Sequence, residues 1–170
     1  MMKTLLAIAL VAILLAADPA SAQAPQPIPG AGEWLFINRL PFVDHPTCVA
    51  RTNGAEVDTM LMLNNDQHPL LVAGHGDWSG LSGEVEATIA IDGSAPVHVS
   101  AGMVQNIAVV LVTDPALIGR LRSARRLEWT LPFGHFKADV TGLGVALDAI
   151  FACATSTNGQ GQHLSASFRH

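Results

Sequence analysis

The chain has 170 residues, 49% of them hydrophobic, and its 14 acidic side chains outnumber 9 lysines and arginines for a net charge of −5. That length suits one domain with a substantial core. Lys137 is the single lysine after Lys3, so the sequence lacks the basic footprint of a nucleic-acid-binding protein.

The first segment reads as an address. Lys3 precedes an apolar run from Leu5 to Ala17, which is too short to span a bilayer comfortably. Asp18 and Pro19 break it, and Ala20-Ser21-Ala22 supplies the small residues of a cleavage site. This is the layout of a secretory signal peptide over residues 1–22, with an uncleaved anchor as the alternative. No lipid-bearing cysteine follows the run. No later segment approaches the ~20 apolar residues of a span, so the mature protein is expected to carry none. The expected location is periplasmic or secreted.

Residues 23–32 (QAPQPIPGAG) are proline- and glycine-rich and predict a flexible or PPII-like leader. The body, 33–154, then reads as a single β-rich domain. Trp34–Asn38, Thr47–Arg51, Val57–Leu63 and Leu70–Ala73 are successive candidate strands. Glu84–Ile91 alternates, with Val85, Ala87, Ile89 and Ile91 on one face and Glu84, Glu86 and Thr88 on the other. Asp92-Gly93 marks a reversal into Val97–Ser100. Ile107–Thr113 is nearly all apolar, as a strand buried on both faces would be.

The period then changes. Asp114-Pro115 predicts a helix start, with aspartate as cap and proline in the first turn. Leu117, Ile118 and Leu121 form its apolar face, and Arg120, Arg122 and Arg125 gather near its C-terminal end, where cations oppose the helix dipole. Arg126–Leu131 is the next strand. In the one after it Phe136, Ala138 and Val140 point inward and His135, Lys137 and Asp139 outward. Thr141 is a candidate cap for a closing helix from Leu143 to about Ala154, with a polar tail over 155–170. The fold class is mainly β: an antiparallel sandwich or partly open barrel with two short helices, one closing the C-terminus.

Cys48 and Cys153 are the two cysteines, and in an oxidising compartment they read as one disulfide tying the last helix to an early strand. Two buried thiols are the alternative, and their separation excludes a redox CxxC site.

Candidate chemistry is sparse. Seven histidines (45, 68, 75, 98, 135, 163 and 170) and Met60, Met62 and Met103 could serve a copper or zinc protein. No pair has the HxH or i,i+4 spacing of a metal site, and no metal or cofactor is expected. His75-Gly76-Asp77-Trp78-Ser79-Gly80 holds the residue types of a hydrolase triad but no GxSxG elbow, so a polar turn with Trp78 as a lid on the core is the preferred reading. Glu84 and Glu86, ~6–7 Å apart on a strand face, could serve as paired carboxylates. Solvated strand carboxylates are the simpler reading. Arg120, Arg122, Arg125 and Arg126 form the one concentrated charge, which could meet an acidic partner, lipid headgroups or the cell-wall polymer, with Arg120, Arg122 and Arg125 as the candidate contact. Compensation of the helix dipole plus solvation is the simpler reading. A partner adding a strand to a sheet edge is a further mode that no sequence feature selects.

The C-terminal half carries a resemblance. Ile91-Asp92-Gly93 closes a strand. Leu117-Ile118-Gly119-Arg120-Leu121-Arg122-Ser123-Ala124 forms a helix. Asp139-Val140-Thr141-Gly142-Leu143, Ala146-Leu147 and Cys153 follow. Over about residues 84–153 this resembles the invasion-associated locus B family of small exported proteobacterial proteins, and is similar to the accessory periplasmic proteins of type VI secretion clusters. In the N-terminal half Trp34 is followed by Leu35-Phe36-Ile37-Asn38, without the cysteine that the family places there. The resemblance implies a secreted, disulfide-closed β-rich fold without known catalysis, and no site residue carries over from it.

The expectation is a non-enzymatic exported interaction module of the cell envelope, its partner an envelope or secretion-system protein. A periplasmic small-molecule or metal-binding carrier is one alternative. An envelope hydrolase using His75, Asp77 or the Glu84/Glu86 pair is another.

Overall fold

The computed structural model describes residues 24–37, 48–78 and 80–166, with side chains as far as Ser156. The expected signal peptide, His45, Thr47, Ser79 and His170 fall outside the described residues. The strands are β1 (Gln26–Pro27), β2 (Leu35–Ile37), β3 (Val49–Thr52), β4 (Asp58–Leu63), β5 (Pro69–Gly74), β6 (Leu81–Ile91), β7 (Val97–Gln105), β8 (Ile107–Leu111), β9 (Arg126–Leu131) and β10 (Gly134–Asp139). Helix α1 (Pro115–Ser123) lies between β8 and β9, and α2 (Leu143–Ala166) ends the described chain.

All ten strands join one antiparallel sheet in the order β1-β2-β3-β4-β5-β8-β7-β6-β9-β10. Among the described residues its ends do not meet, so it is an open sheet and not a barrel. The alternation read in the sequence is the alternation observed. Ala87, Ile89 and Ile91 on β6, and Leu127, Trp129 and Leu131 on β9, are buried. Trp34, Trp78 and Trp129 are among the largest fully buried side chains, so Trp78 is a lid on the core. Asp92 and Gly93 both take positive φ, 51° and 73°, and the Ser94 amide donates to the Ile91 carbonyl at 2.9 Å. That is the primed turn a hairpin favours.

Helix α1 begins as its sequence demands. The Asp114 carboxylate accepts the Ala116 amide at 2.9 Å, and Pro115 occupies the first turn. Its partner α2 packs on α1, β3 and β4, and burial of Leu143, Leu147 and Ile150 anchors it. Cys48, just before β3, is bonded to Cys153 on α2, with Cα atoms 5.9 Å apart across 105 residues of sequence.

Three boundaries differ most from expectation. The leader is docked from Gln26 onward: β1 pairs with β2, and Ile28 and Ala31 are buried. Gly142, at φ +92°, explains part of this, since a Cβ there would stand 2.3 Å from the Ala31 carbonyl oxygen. The bare backbone of Gly142 lets the leader reach the start of α2. The second helix is not short; it runs to Ala166 through the stretch expected to be a tail. No proline follows Leu143 to stop it, and once a helix is anchored each added residue gains a backbone hydrogen bond. Strand β7 continues past Ser100 to Gln105. Gly102, Met103 and Val104 lack the polar alternation that would have revealed this.

Candidate functional site

The most distinctive surface arises where the sheet splits. Gln105, with φ 55°, and Asn106 form a two-residue turn, so β7 and β8 pair over three residues: Val104 with Ile107, Met103 with Ala108, Gly102 with Val109. Beyond Gly102 the strands part, because each follows a different neighbour. Strand β8 stays with β5 as far as Leu111 opposite Leu70. Strand β7 stays with β6 as far as Val97 opposite Ile89. The gap is an open groove of ≈ 710 Å³. Val97, Val99, Val104, Leu111, Val112 and Leu117 supply its apolar lining. Val104 and Leu111 are 57% and 49% exposed, the two highest values among the large hydrophobic side chains of the described residues.

The groove has a one-signed charge. Glu84 and Asp114 line it together with His98 and Ser100, and no lysine or arginine does so among the described residues. Glu84 Oε1 accepts a hydrogen bond from the Ser100 hydroxyl across the β6–β7 pair. Glu86 is exposed but does not line the groove. The two glutamates therefore share a strand without sharing a cleft.

A second concavity, ≈ 370 Å³, lies by the 3-10 turn at Gly76–Trp78 and is lined by His75, Asp77, Trp78, Leu81, Phe133 and Phe136. Trp78 packs edge-on against Phe133 and Phe136, with centroids 5.6 and 5.0 Å away. His75 stacks obliquely on Trp78 and Phe136 at 5.6 and 5.4 Å. These geometries suit rings packing on one another. The Asp77 amide donates to His75 Nδ1 at 3.1 Å, and the Asp77 carboxylate stands 3.9 Å from it. This is turn geometry that occupies the imidazole nitrogen facing Asp77.

The arginine cluster is largely satisfied internally. Arg122 forms an ion pair with Asp148 of α2 at 2.5 Å, and Arg120 donates to the Ser94 hydroxyl at 2.5 Å. Arg125 and Arg126 line a shallow hollow with Asp92, Asp139 and Thr141, and their amides donate to the Asp92 carboxylate. There the Asp139 carboxyl is held below its ordinary value of 3.8, first by the Thr141 amide, then by the Thr141 hydroxyl and the charge of Arg126, against a small opposing effect of burial. Thr141, expected to cap α2, donates its amide to Asp139 Oδ1 at 2.9 Å.

The described histidines are dispersed. His68 is exposed in a turn where its amide donates to Asn64, and His135 pairs with the Thr130 hydroxyl at 2.9 Å. His163 lies on α2 beyond the described side chains. Met60 and Met62 are half-buried on β4, and Met103 is buried. Among the described residues no group of three or more His, Cys, Asp or Glu side chains could hold a metal ion. Likewise, no described helix is long and apolar enough to cross a membrane.

Fold and bridge together define the chain as an open antiparallel β domain closed by a disulfide-anchored C-terminal helix. The fold is similar to that of invasion associated protein B from Bartonella henselae: the TM-score is 0.57 at 13% identity, over 77% of this chain and 98% of that one. No family model matches the sequence, and no curated protein does.

Proposed function

We propose that the protein is a non-enzymatic, exported interaction module of the cell envelope that receives a protein partner in the β7–β8 groove. The carrying observation is the groove itself, where Val104 and Leu111 stay exposed beside two parting strands. Apolar side chains gathered in a concavity mark contact sites. Export draws support from the signal-like leader and from a bridge of the kind that persists in oxidising compartments. Likeness of fold to a protein named for association with invasion supports a role at the cell boundary. The groove takes precedence over the arginine cluster as the contact because Arg120 and Arg122 already have partners within the chain.

The test is capture of partners from envelope extract. The double variant Val104→Arg/Leu111→Arg, at two exposed positions that should leave folding intact, is expected to lower capture at least about tenfold. Alanine at Arg120, Arg122 and Arg125 is expected to leave it within about twofold. The reverse pattern removes the groove and restores the arginines. The same apolar lining supports a second reading, a carrier of a small apolar ligand. Displacement of an apolar fluorophore from the wild type but not from the double variant would favour it.

A further inference from the structure

We infer that the free side of β7 accepts an extended polypeptide segment as an added strand, with a lysine or arginine of that segment set against Glu84 and Asp114. This rests on the reading of the groove as a protein contact and supplies the partner's chemistry and the mode of binding.

Backbone geometry is the first support. In a two-residue hairpin the closing pair, Val104 and Ile107, exchanges both hydrogen bonds. Residues along a strand alternate in the side to which they present N–H and C=O. The β6–β7 register runs without a break from Gln105 to Val97. Gly102, Ser100 and His98 therefore face the β8 side, as Val104 does. Gly102 meets Val109, but His98 and Ser100 have no opposite residue there among the described strands. On the other wall, Leu111 shares the side of Ile107 and Val109 and faces the same gap. Among the described residues the groove is thus flanked by unpaired main-chain groups on both walls, which an inserted strand would satisfy.

Side chains supply the second support. The free stretch Val97–Ala101 reads VHVSA, about 17 Å of strand, without a lysine, a proline or a bulge. Those are the devices by which proteins keep a strand edge from pairing. An apolar residue at every second position of the guest would meet Val99 and Leu117 on the core face, while the alternate positions face Glu84, Ser100 and Leu111. Glu84 and Asp114 are the charged side chains lining the groove, in a chain of net charge −5. Complementarity therefore calls for a basic guest residue.

The test uses the oxidised exported protein, labelled with 15N, and a blocked seven-residue probe of alternating valine and threonine with a central lysine. Saturable binding is expected, with slowed amide exchange at His98 and Ser100. Backbone N-methylation of the probe in one of the two alternating patterns should weaken binding at least about tenfold, because it removes the strand bonds and leaves side chains in place. Glutamate in place of the central lysine should weaken it several-fold. Failure of the lysine probe to bind at about 1 mM overturns the inference. So does a dimer held through this edge that the probe does not dissociate. If both N-methylated probes bind as well as the parent and the arginine double variant abolishes binding, strand addition is wrong while the groove remains the contact. If the arginine double variant keeps both probe and envelope partner, the groove reading itself fails.

Discussion

The two outer edges of the sheet and the inner edge of β7 are built in opposite ways. Strand β1 is two residues long and ends in Pro27. At the other end, β10 displays Lys137 and Asp139, and the Lys137 amide is taken by the Glu56 carboxylate at 2.6 Å. A short strand, a proline, charges and a side-chain acceptor are all ways to stop a sheet from growing. Among the described residues the inner edge at Val97–Ala101 has none of them. Protection sits where the sheet ends and is missing where it splits, which is the pattern expected if growth at the split is useful.

The largest effect should come from releasing the bridge that pins α2 over β3, near the protected β1 end. Cys48→Ser with Cys153→Ser is expected to cost about 4–5 kcal/mol, since it frees a loop of 105 residues. Urea unfolding measures it, and an unchanged midpoint would mean that the packing of α2 alone holds that end.

Proline sharpens the contrast within β7. Val99→Pro removes an amide bonded to β6 and is expected to cost about 3 kcal/mol or more. His98→Pro removes one that faces the groove and should cost about 1 kcal/mol, the tolerance seen at free edges. Equal losses would place a partner opposite His98.

Lys137→Val should change stability by no more than about 0.5 kcal/mol. It should nevertheless promote concentration-dependent association through β10, visible in sedimentation. A variant that stays monomeric would show that the remaining devices suffice there.

The smallest effect concerns Asp139. Its carboxyl is depressed in the folded state, so its contribution is full above the ordinary value of 3.8 and fades as pH falls through the lowered one. Because the group is exposed, Asp139→Asn should lower the melting temperature slightly at neutral pH, with the difference from wild type vanishing in strong acid. A difference that grows with acid would contradict the Thr141 and Arg126 contacts.

Much of the fold was legible because it follows from local chemistry. Period-two alternation located β6, β9 and β10, Asp114-Pro115 located α1, and an even cysteine count gave the bridge that the structure contains. The docked leader was not legible: its prolines suit an extended chain, and only the distant Gly142 creates a place for Ala31. Nor did the residues themselves mark the end of α2, where glycines and polar side chains compete with the anchorage of Leu147 and Ile150. The groove lay hidden for a different reason. Val104 and Leu111 look like ordinary strand residues, and their exposure follows from which strands pair beyond Gly102, a long-range choice. Arg120, Arg122 and Arg125 stood out in sequence through charge alone, whereas Ser94 and Asp148, two of the partners that occupy them, are contributed from 26 residues away.

Amide hydrogen exchange of the oxidised protein without added ligand, read residue by residue along β7, addresses the open edge most directly. Val99 and Ala101 should exchange slowly through their bonds to β6, while His98 and Ser100 exchange fast. Uniform protection across these four amides would mean that the edge is already filled, and would contradict the open groove on which the proposed contact depends.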